Sequence, residues 1–281
     1  MPPLRGRPAT AIAAPRNLFA VEAKLSVALP TNCKLAAVAR SPGALCSPPV
    51  PHATLERSGA AAVLTIDRPP ANAMSLELLE DVIAALRAVE REPPGALVLC
   101  GREGFFSAGV DLKAVPDYGP DRQRRAVEMI NDMALTAYSL PCPVVGAITG
   151  HAIAGGLVLA LCADVRIASS AGKYGLTEVK VGVPYPKAAI GVVRAELAPH
   201  AARLLALGNE LVDAVECVRL GVFDEALDAP AVLPRALQVG ELLAGFPADA
   251  YARTKRELRA GTIERLRQQA ADDPLLARWV S

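Results

Sequence analysis

Apolar and polar positions follow no lasting period up to about residue 51, and a regular one from Ala53 onward. Thr54–Arg57 and Val63–Ile66 alternate on either side of Ser58-Gly59, which predicts a β-hairpin. Arg68-Pro69-Pro70-Ala71-Asn72-Ala73 is a turn-rich loop. Ser75 then stands where a helix N-cap belongs, ahead of Leu76, Leu79, Val82, Ile83 and Leu86 at helical spacing to about Glu90. Pro93-Pro94-Gly95 stops that helix, and Ala96–Cys100 is apolar throughout, as a strand covered on both faces should be. A helix is expected from Asp121 to about Ser139, closed by Pro141 and Pro143. Strands are expected at Val144–Ile148 and Asp164–Ala168, with a helix between them at Gly155–Cys162.

This alternation of strand and helix predicts an α/β fold on a mostly parallel, covered sheet. Beyond about Ala188 the pattern is nearly all helical: Ile190–Leu197, His200–Leu207, Val212–Leu220, Leu233–Gly245 and Ala248–Gln269. Val144–Ala163 is apolar enough and long enough to cross a bilayer. Gly146, Gly150, Gly155 and Gly156 divide it, however, and no basic cluster flanks it. A buried strand and a buried helix are therefore expected, with no membrane span.

Composition narrows the function classes. The chain has 281 residues, 52% hydrophobic, with 30 basic and 29 acidic side chains and a formal net charge of +1. That is enough for a full core, and the charge balance offers no basic field for nucleic acid. The basic run Arg253–Arg259 sits in a helical pattern with Glu257 and Glu264 and reads as a solvated helix face. Six cysteines without a CxxC pair, mostly in apolar runs, read as buried free thiols in a reducing compartment. Three scattered histidines, His52, His151 and His200, give no metal site, and neither GxSxG nor a P-loop occurs. Residues 1–51 are rich in Pro, Ala, Arg and Ser, with Glu22 the only acid. They fit a transit peptide, a mistaken upstream start or a disordered arm, and no function is placed there.

Two stretches carry candidate chemistry. Phe105–Asp111, FFSAGVD, and Gly150–Asp164, GHAIAGGLVLALCAD, are apolar runs broken by glycine. Glycine in such places frees backbone N–H groups to approach another group closely, and two of them converging on one oxygen make an oxyanion hole. With Tyr174–Pro184, YGLTEVKVGVP, following in order, the chain from about Ala53 to its end resembles the crotonase superfamily of enoyl-CoA hydratases and isomerases.

The resemblance implies a spiral of ββα units at residues 52–200 and a C-terminal helical region at 201–281 that packs subunits into trimers or pairs of trimers. It implies an acyl-CoA thioester substrate, with coenzyme A as part of that substrate and no separate cofactor or metal. By motif position, the N–H groups of Val110 and Gly155 are the oxyanion donors and Glu178 is the catalytic glutamate. A lone acid in apolar surroundings should also have a raised pKa, suited to a general base. Ala108, Asp111 and Lys113 fall on the segment that runs beside coenzyme A. For Tyr185 three readings stand: it narrows the acyl pocket, its hydroxyl holds water, or it only packs, packing being the default. Asp164 reads as a structural cap and His151 as a satisfied turn histidine.

Val158 departs from the family pattern. Hydratases of the superfamily carry a second glutamate three residues after the oxyanion glycine, and valine can neither hold water nor share its proton. One carboxyl suffices to move a proton from C2 to C4. The expected reaction is therefore double-bond isomerisation by Glu178. The alternatives are hydration, thioester hydrolysis or thioester binding without catalysis. The expected location is the cytoplasm, or an organelle matrix if residues 1–51 are a transit peptide.

Overall fold

The computed structural model describes residues 51–280, which belong to one compact unit. The expectation for residues 1–51 therefore lies, Pro51 apart, outside the described residues, as do Cys33 and Cys46. The elements run β1 (Ala53–Ser58), β2 (Ala61–Ile66), α1 (Leu76–Arg91), β3 (Ala96–Cys100), β4 (Gly104–Ser107), α2 (Pro120–Ser139), β5 (Val144–Ile148), β6 (Gly150–Ile153), α3 (Gly155–Leu161), β7 (Val165–Ser169), β8 (Tyr174–Gly175), α4 (Lys187–Glu196), α5 (Pro199–Ala202), α6 (Ala214–Arg219), β9 (Glu225–Leu227), α7 (Ala229–Ala244) and α8 (Ala248–Ala271).

The strands form two sheets, one ordered β1-β2-β3-β5-β7-β9 and a smaller one ordered β4-β6-β8. β1 and β2 pair antiparallel and every other pairing is parallel. Each turn of the spiral places one strand in the large sheet, the next in the small sheet, and then a helix: β3-β4-α2, β5-β6-α3, β7-β8-α4. This is the crotonase-type spiral expected from the motifs. Every residue of β3 and β5 is buried, because helices and the second sheet cover both faces. The edge strand β1 buries only Ala53 and turns Glu56 and Arg57 to solvent, which discourages further pairing at that edge.

Local signals place the first helix well. Ser75 accepts a hydrogen bond from the Leu78 amide, and Leu78, Leu79, Val82, Ile83, Leu86 and Val89 are buried along one face. The apolar stretch Val144–Ala163 divides into β5, β6 and α3 inside the core. Among the described residues no helix is long and apolar enough to cross a membrane.

Three expectations need correction. The C-terminal part, expected to be nearly all helix, also supplies β9, a strand that joins the large sheet beside β7, where the Arg166 amide donates to Asp224 Oδ2 at 2.7 Å. The helix expected at His200–Leu207 is an α-helical turn continued by a π-turn at Arg203–Leu207. α7 begins at Ala229 rather than Leu233, with Pro234 inside it, and it packs across β2, β3, β5 and β7.

The basic run on α8 is a solvated face only in part, since Arg253 and Arg256 are exposed and two other basic residues are not. Lys255 and Arg259 are buried. Lys255 Nζ donates to Asp164 Oδ2 at 2.7 Å and to the Cys142 carbonyl at 2.9 Å. Arg259 pairs with Asp164 at 3.0 Å and lies over the Tyr138 ring. Arg166 completes the cluster through Glu196 at 2.8 Å. Asp164 further accepts from the Val144 amide, so the residue expected as a cap is the centre of a buried ionic cluster. Burial lowers the Lys255 pKa, and the Asp164 carboxylate opposes that effect.

Candidate active site

The three strands of the small sheet end side by side, and each delivers one group of the motif set. Val110 lies just beyond β4, Gly155 just beyond β6 and Glu178 just beyond β8. Parallel strands bring their C-terminal ends to the same edge, so residues far apart in sequence become neighbours.

The first loop is held by Asn72, a residue inside the stretch read as a simple turn. Asn72 is fully buried at a left-handed φ of 51°. Its Nδ2 donates to the carbonyls of Ile66 at 2.8 Å and Phe106 at 3.0 Å, and its Oδ1 accepts from the Arg68 amide at 2.7 Å. Ser107 Oγ donates to the Asn72 carbonyl at 2.7 Å and accepts from the Gly109 amide at 3.2 Å. The Ala108 amide donates to the Ala71 carbonyl and the Asp111 amide to the Met74 carbonyl. Val110 forms a parallel bridge with Met74, made through the Gly109 carbonyl and the Asp111 amide. Its own N–H is thus turned away from Met74, and no acceptor for it occurs among the described residues.

The second loop meets the first. Ala154 has φ 54° and ψ −129°, an uncommon conformation for a residue with a β-carbon, and its amide donates to the Gly175 carbonyl at 2.8 Å. Gly155 opens α3. A β-carbon on Gly109 would stand 2.9 Å from the Gly155 nitrogen, and one on Gly156 only 2.3 Å from the Ser107 carbonyl oxygen. Both glycines are therefore required by backbone contact between the two loops. Two preorganised amides in this arrangement can stabilise a developing oxyanion, at ~3 kcal/mol for one donor.

Glu178 is 8% exposed. Burial pushes its carboxyl from the ordinary 4.5 to about 7, against the lowering effect of the hydrogen bond from Tyr185. The Tyr185 hydroxyl donates to Glu178 Oε2 at 2.6 Å. Packing alone, the default expectation for Tyr185, is thus too little: its polar end is bonded to the candidate base. Val158 is fully buried, one helical turn beyond Gly155.

The remaining candidates are distributed differently. The Asp111 carboxylate pairs with Arg68 at 3.0 Å and accepts from the Lys113 amide, which braces the first loop. Lys113 itself is exposed. His151 lies in β6 rather than in a turn, where its Nδ1 accepts from the Lys173 amide at 3.0 Å. Cys100, Cys142, Cys162 and Cys217 are buried free thiols, and burial pushes Cys100 up to about 11 and Cys162 up to about 12. Among the described residues no group of three or more metal-ligating side chains occurs. Sequence reasoning missed the bracing roles of Asn72, Arg68 and Ser107; the available signals were Arg68 and Asn72 around a proline pair and Ser107 inside the FFSAGVD motif.

Comparison with known proteins gives a coherent set. The family profile described as enoyl-CoA hydratase/isomerase matches residues 56–278. A probable enoyl-CoA hydratase of Mycobacterium avium (strain 104) is 33% identical over 201 residues, covering 71% of this chain and 78% of that protein. The mitochondrial enoyl-CoA delta isomerase 1 of Mus musculus is 30% identical over 232 residues, 78% of each chain. The crystal structure of human mitochondrial delta3-delta2-enoyl-CoA isomerase superposes with a TM-score of 0.74 at 27% identity, covering 80% of this chain and 90% of that one.

Proposed function

Since the chain belongs to the enoyl-CoA hydratase/isomerase family, we propose that it isomerises the double bond of an enoyl-CoA thioester, with Glu178 as its single acid–base group. The observation that carries this reading is Val158, fully buried at the position where a second carboxylate would be needed to hold and activate water. Glu178, poised near 7, is a competent base on its own.

In this reading the Val110 and Gly155 amides receive the thioester oxygen. Glu178 removes a proton from C2; the C2–H electron pair spreads into the dienolate and the oxyanion gains charge against the two amides. The same carboxyl returns the proton to C4, and the double bond comes to rest between C2 and C3. Nothing is consumed. Ala108 and Val158 flank the acyl thioester, while Asp111 and Lys113 belong to the segment assigned to coenzyme A, where Lys113 can offset phosphate charge. The reaction as proposed needs no further cofactor.

Self-association belongs to the same proposal. Val179, Val181, Leu207, Leu211 and Val215 are 47–71% exposed, and the Lys180 amide ties their two segments together through Asn209 Oδ1. Such a patch supports packing against copies of this chain as a trimer or hexamer; mass photometry reads the assembly directly.

Hydration is the second reading, favoured by the name of the Mycobacterium avium relative. A panel of 3-enoyl-CoA and 2-enoyl-CoA substrates separates the two. Conversion of 3-enoyl to conjugated 2-enoyl thioester, with little loss of the 2-enoyl absorbance, is expected. Rapid hydration of 2-enoyl-CoA without any shift of 3-enoyl substrates would return the chain to hydratase chemistry. Release of free coenzyme A would point to hydrolysis, and binding without turnover to a non-catalytic role.

A further inference from the structure

Glu178 and Tyr185 face each other across a short turn. The chain leaves Glu178 through a 3-10 turn at Val179–Val181, reverses at Gly182 with φ 72°, and returns through Val183, whose amide donates to the Glu178 carbonyl at 3.0 Å. The returning limb is anchored at two points by the distant C-terminal segment. Trp279 Nε1 donates to the Pro184 carbonyl at 2.9 Å, and the Lys187 amide donates to Asp273 Oδ2 at 2.7 Å. Tyr185 is half-buried against the core, and its hydroxyl ends on Glu178 Oε2 at 2.6 Å.

A single carboxyl that takes a proton at one carbon and delivers it to another must keep its orientation through both steps. A hydroxyl bonded to one oxygen supplies that restraint. It occupies Oε2, fixes the carboxylate plane and leaves Oε1 to the substrate. We propose that Tyr185 is the positioning residue of the base, holding Glu178 by Oε2 so that Oε1 alone exchanges the proton with C2 and C4; this rests on the assignment of Glu178 as base.

The bond has an energetic side as well. It donates to the charged form and so opposes the burial that disfavours ionisation. Among the described residues, burial raises the Glu178 carboxyl most, and the Tyr185 hydroxyl and the backbone at Glu178 pull it back. Tyr185 in turn is pushed upward, first by burial and then by the Glu178 charge, so its hydroxyl keeps its proton and serves as a donor only.

The test uses Tyr185→Phe in the full chain, which removes the hydroxyl and keeps the ring. Two readouts are taken. One is the Glu178 carboxyl titration by carbon-13 NMR, with Glu178→Gln identifying the resonance. The other is exchange of the C2 protons of a saturated acyl-CoA in heavy water across pH. The Phe variant is expected to raise the Glu178 titration by about one unit, as a lost hydrogen bond to a charged group implies. The alkaline rise of exchange should move with it, and kcat should fall roughly ten-fold with KM little changed. Site-specific 3-fluorotyrosine at 185, a stronger donor of the same shape, should move the titration the other way, which a packing role would not do. An unchanged titration and exchange profile in both variants overturns the proposal. Failure of the isomerase reading looks different: the native protein exchanges C2 protons but shifts no double bond.

Discussion

Replacing Glu178 by Gln removes the ionisable group and keeps the shape, and it should affect stability and catalysis in opposite directions. The folded carboxyl titrates at about 7 rather than 4.5, chiefly because it is buried. At 1.36 kcal/mol per unit, holding the ionised form in the folded chain costs ~3 kcal/mol, an upper figure because local opening relieves part of it. The sign follows from proton binding. Between 4.5 and about 7 the folded state binds more protons at Glu178 than the unfolded chain, so this residue lowers stability progressively as pH rises through that window. The cost is absent below 4.5 and complete above about 7. Glu178→Gln should therefore match the native protein at pH 4 to 5 and exceed it by up to ~3 kcal/mol at pH 8. Urea unfolding at fixed protomer concentration, repeated across pH, measures this directly. In parallel, turnover of 3-enoyl-CoA should fall by at least ~100-fold, since general-base catalysis is lost, while thioester binding stays nearly unchanged. The native kcat/KM should rise with pH and level off above about 7. A stability difference independent of pH, or a loss of turnover of only a few-fold, would refute the reasoning.

Further tests address the rest of the site and its support. Val158→Glu sets a carboxylate on the same helical face as Gly155; it should lower stability by a few kcal/mol, roughly the cost of an unpaired buried acid, and should introduce hydration of 2-enoyl-CoA, read as loss of the enoyl absorbance. Gly109→Ala places a β-carbon at a φ of 78° and 2.9 Å from the Gly155 nitrogen, so the two donors must separate; kcat is expected to fall by about 100-fold, a figure that steady-state kinetics on folded variant checks. Asp164→Ala leaves Lys255 buried without its carboxylate and Arg259 with only Glu196 at 3.7 Å, and should cost about 3–5 kcal/mol in denaturant unfolding, with part regained when Lys255 is also changed to Met.

Much of the fold was legible because its signals are local. The Ser75 cap, the apolar face of α1, the apolar runs of β3 and β5 and the glycine-broken motifs are all written within a few consecutive residues. The small sheet was not legible, since β4 and β6 have four residues and β8 only two. A strand that short shows no alternation, and its backbone pairing is set by partners elsewhere in the chain. α8 misled for a related reason: periodic basic residues look alike whether they meet water or a buried acid.

The amino-acid order by itself determined the candidates for the chemistry: two glycine-bearing loops and one glutamate in apolar surroundings, to which the family resemblance added a valine where hydratases carry a second acid. It determined these because each depends on residue type and near neighbours. Only the tertiary structure decided how they are held. The contact of Gly156 with Ser107, the reach of Asn72 to Phe106, and the bonding of Lys255 to Asp164 join residues far apart along the chain. Tyr185 is only seven residues from Glu178, yet the bond between them exists because Gly182 reverses the chain and Trp279 anchors its return. Hydrogen bonds are short and directional, so whether two polar groups meet is settled by where the whole fold places their backbones, not by their spacing in sequence.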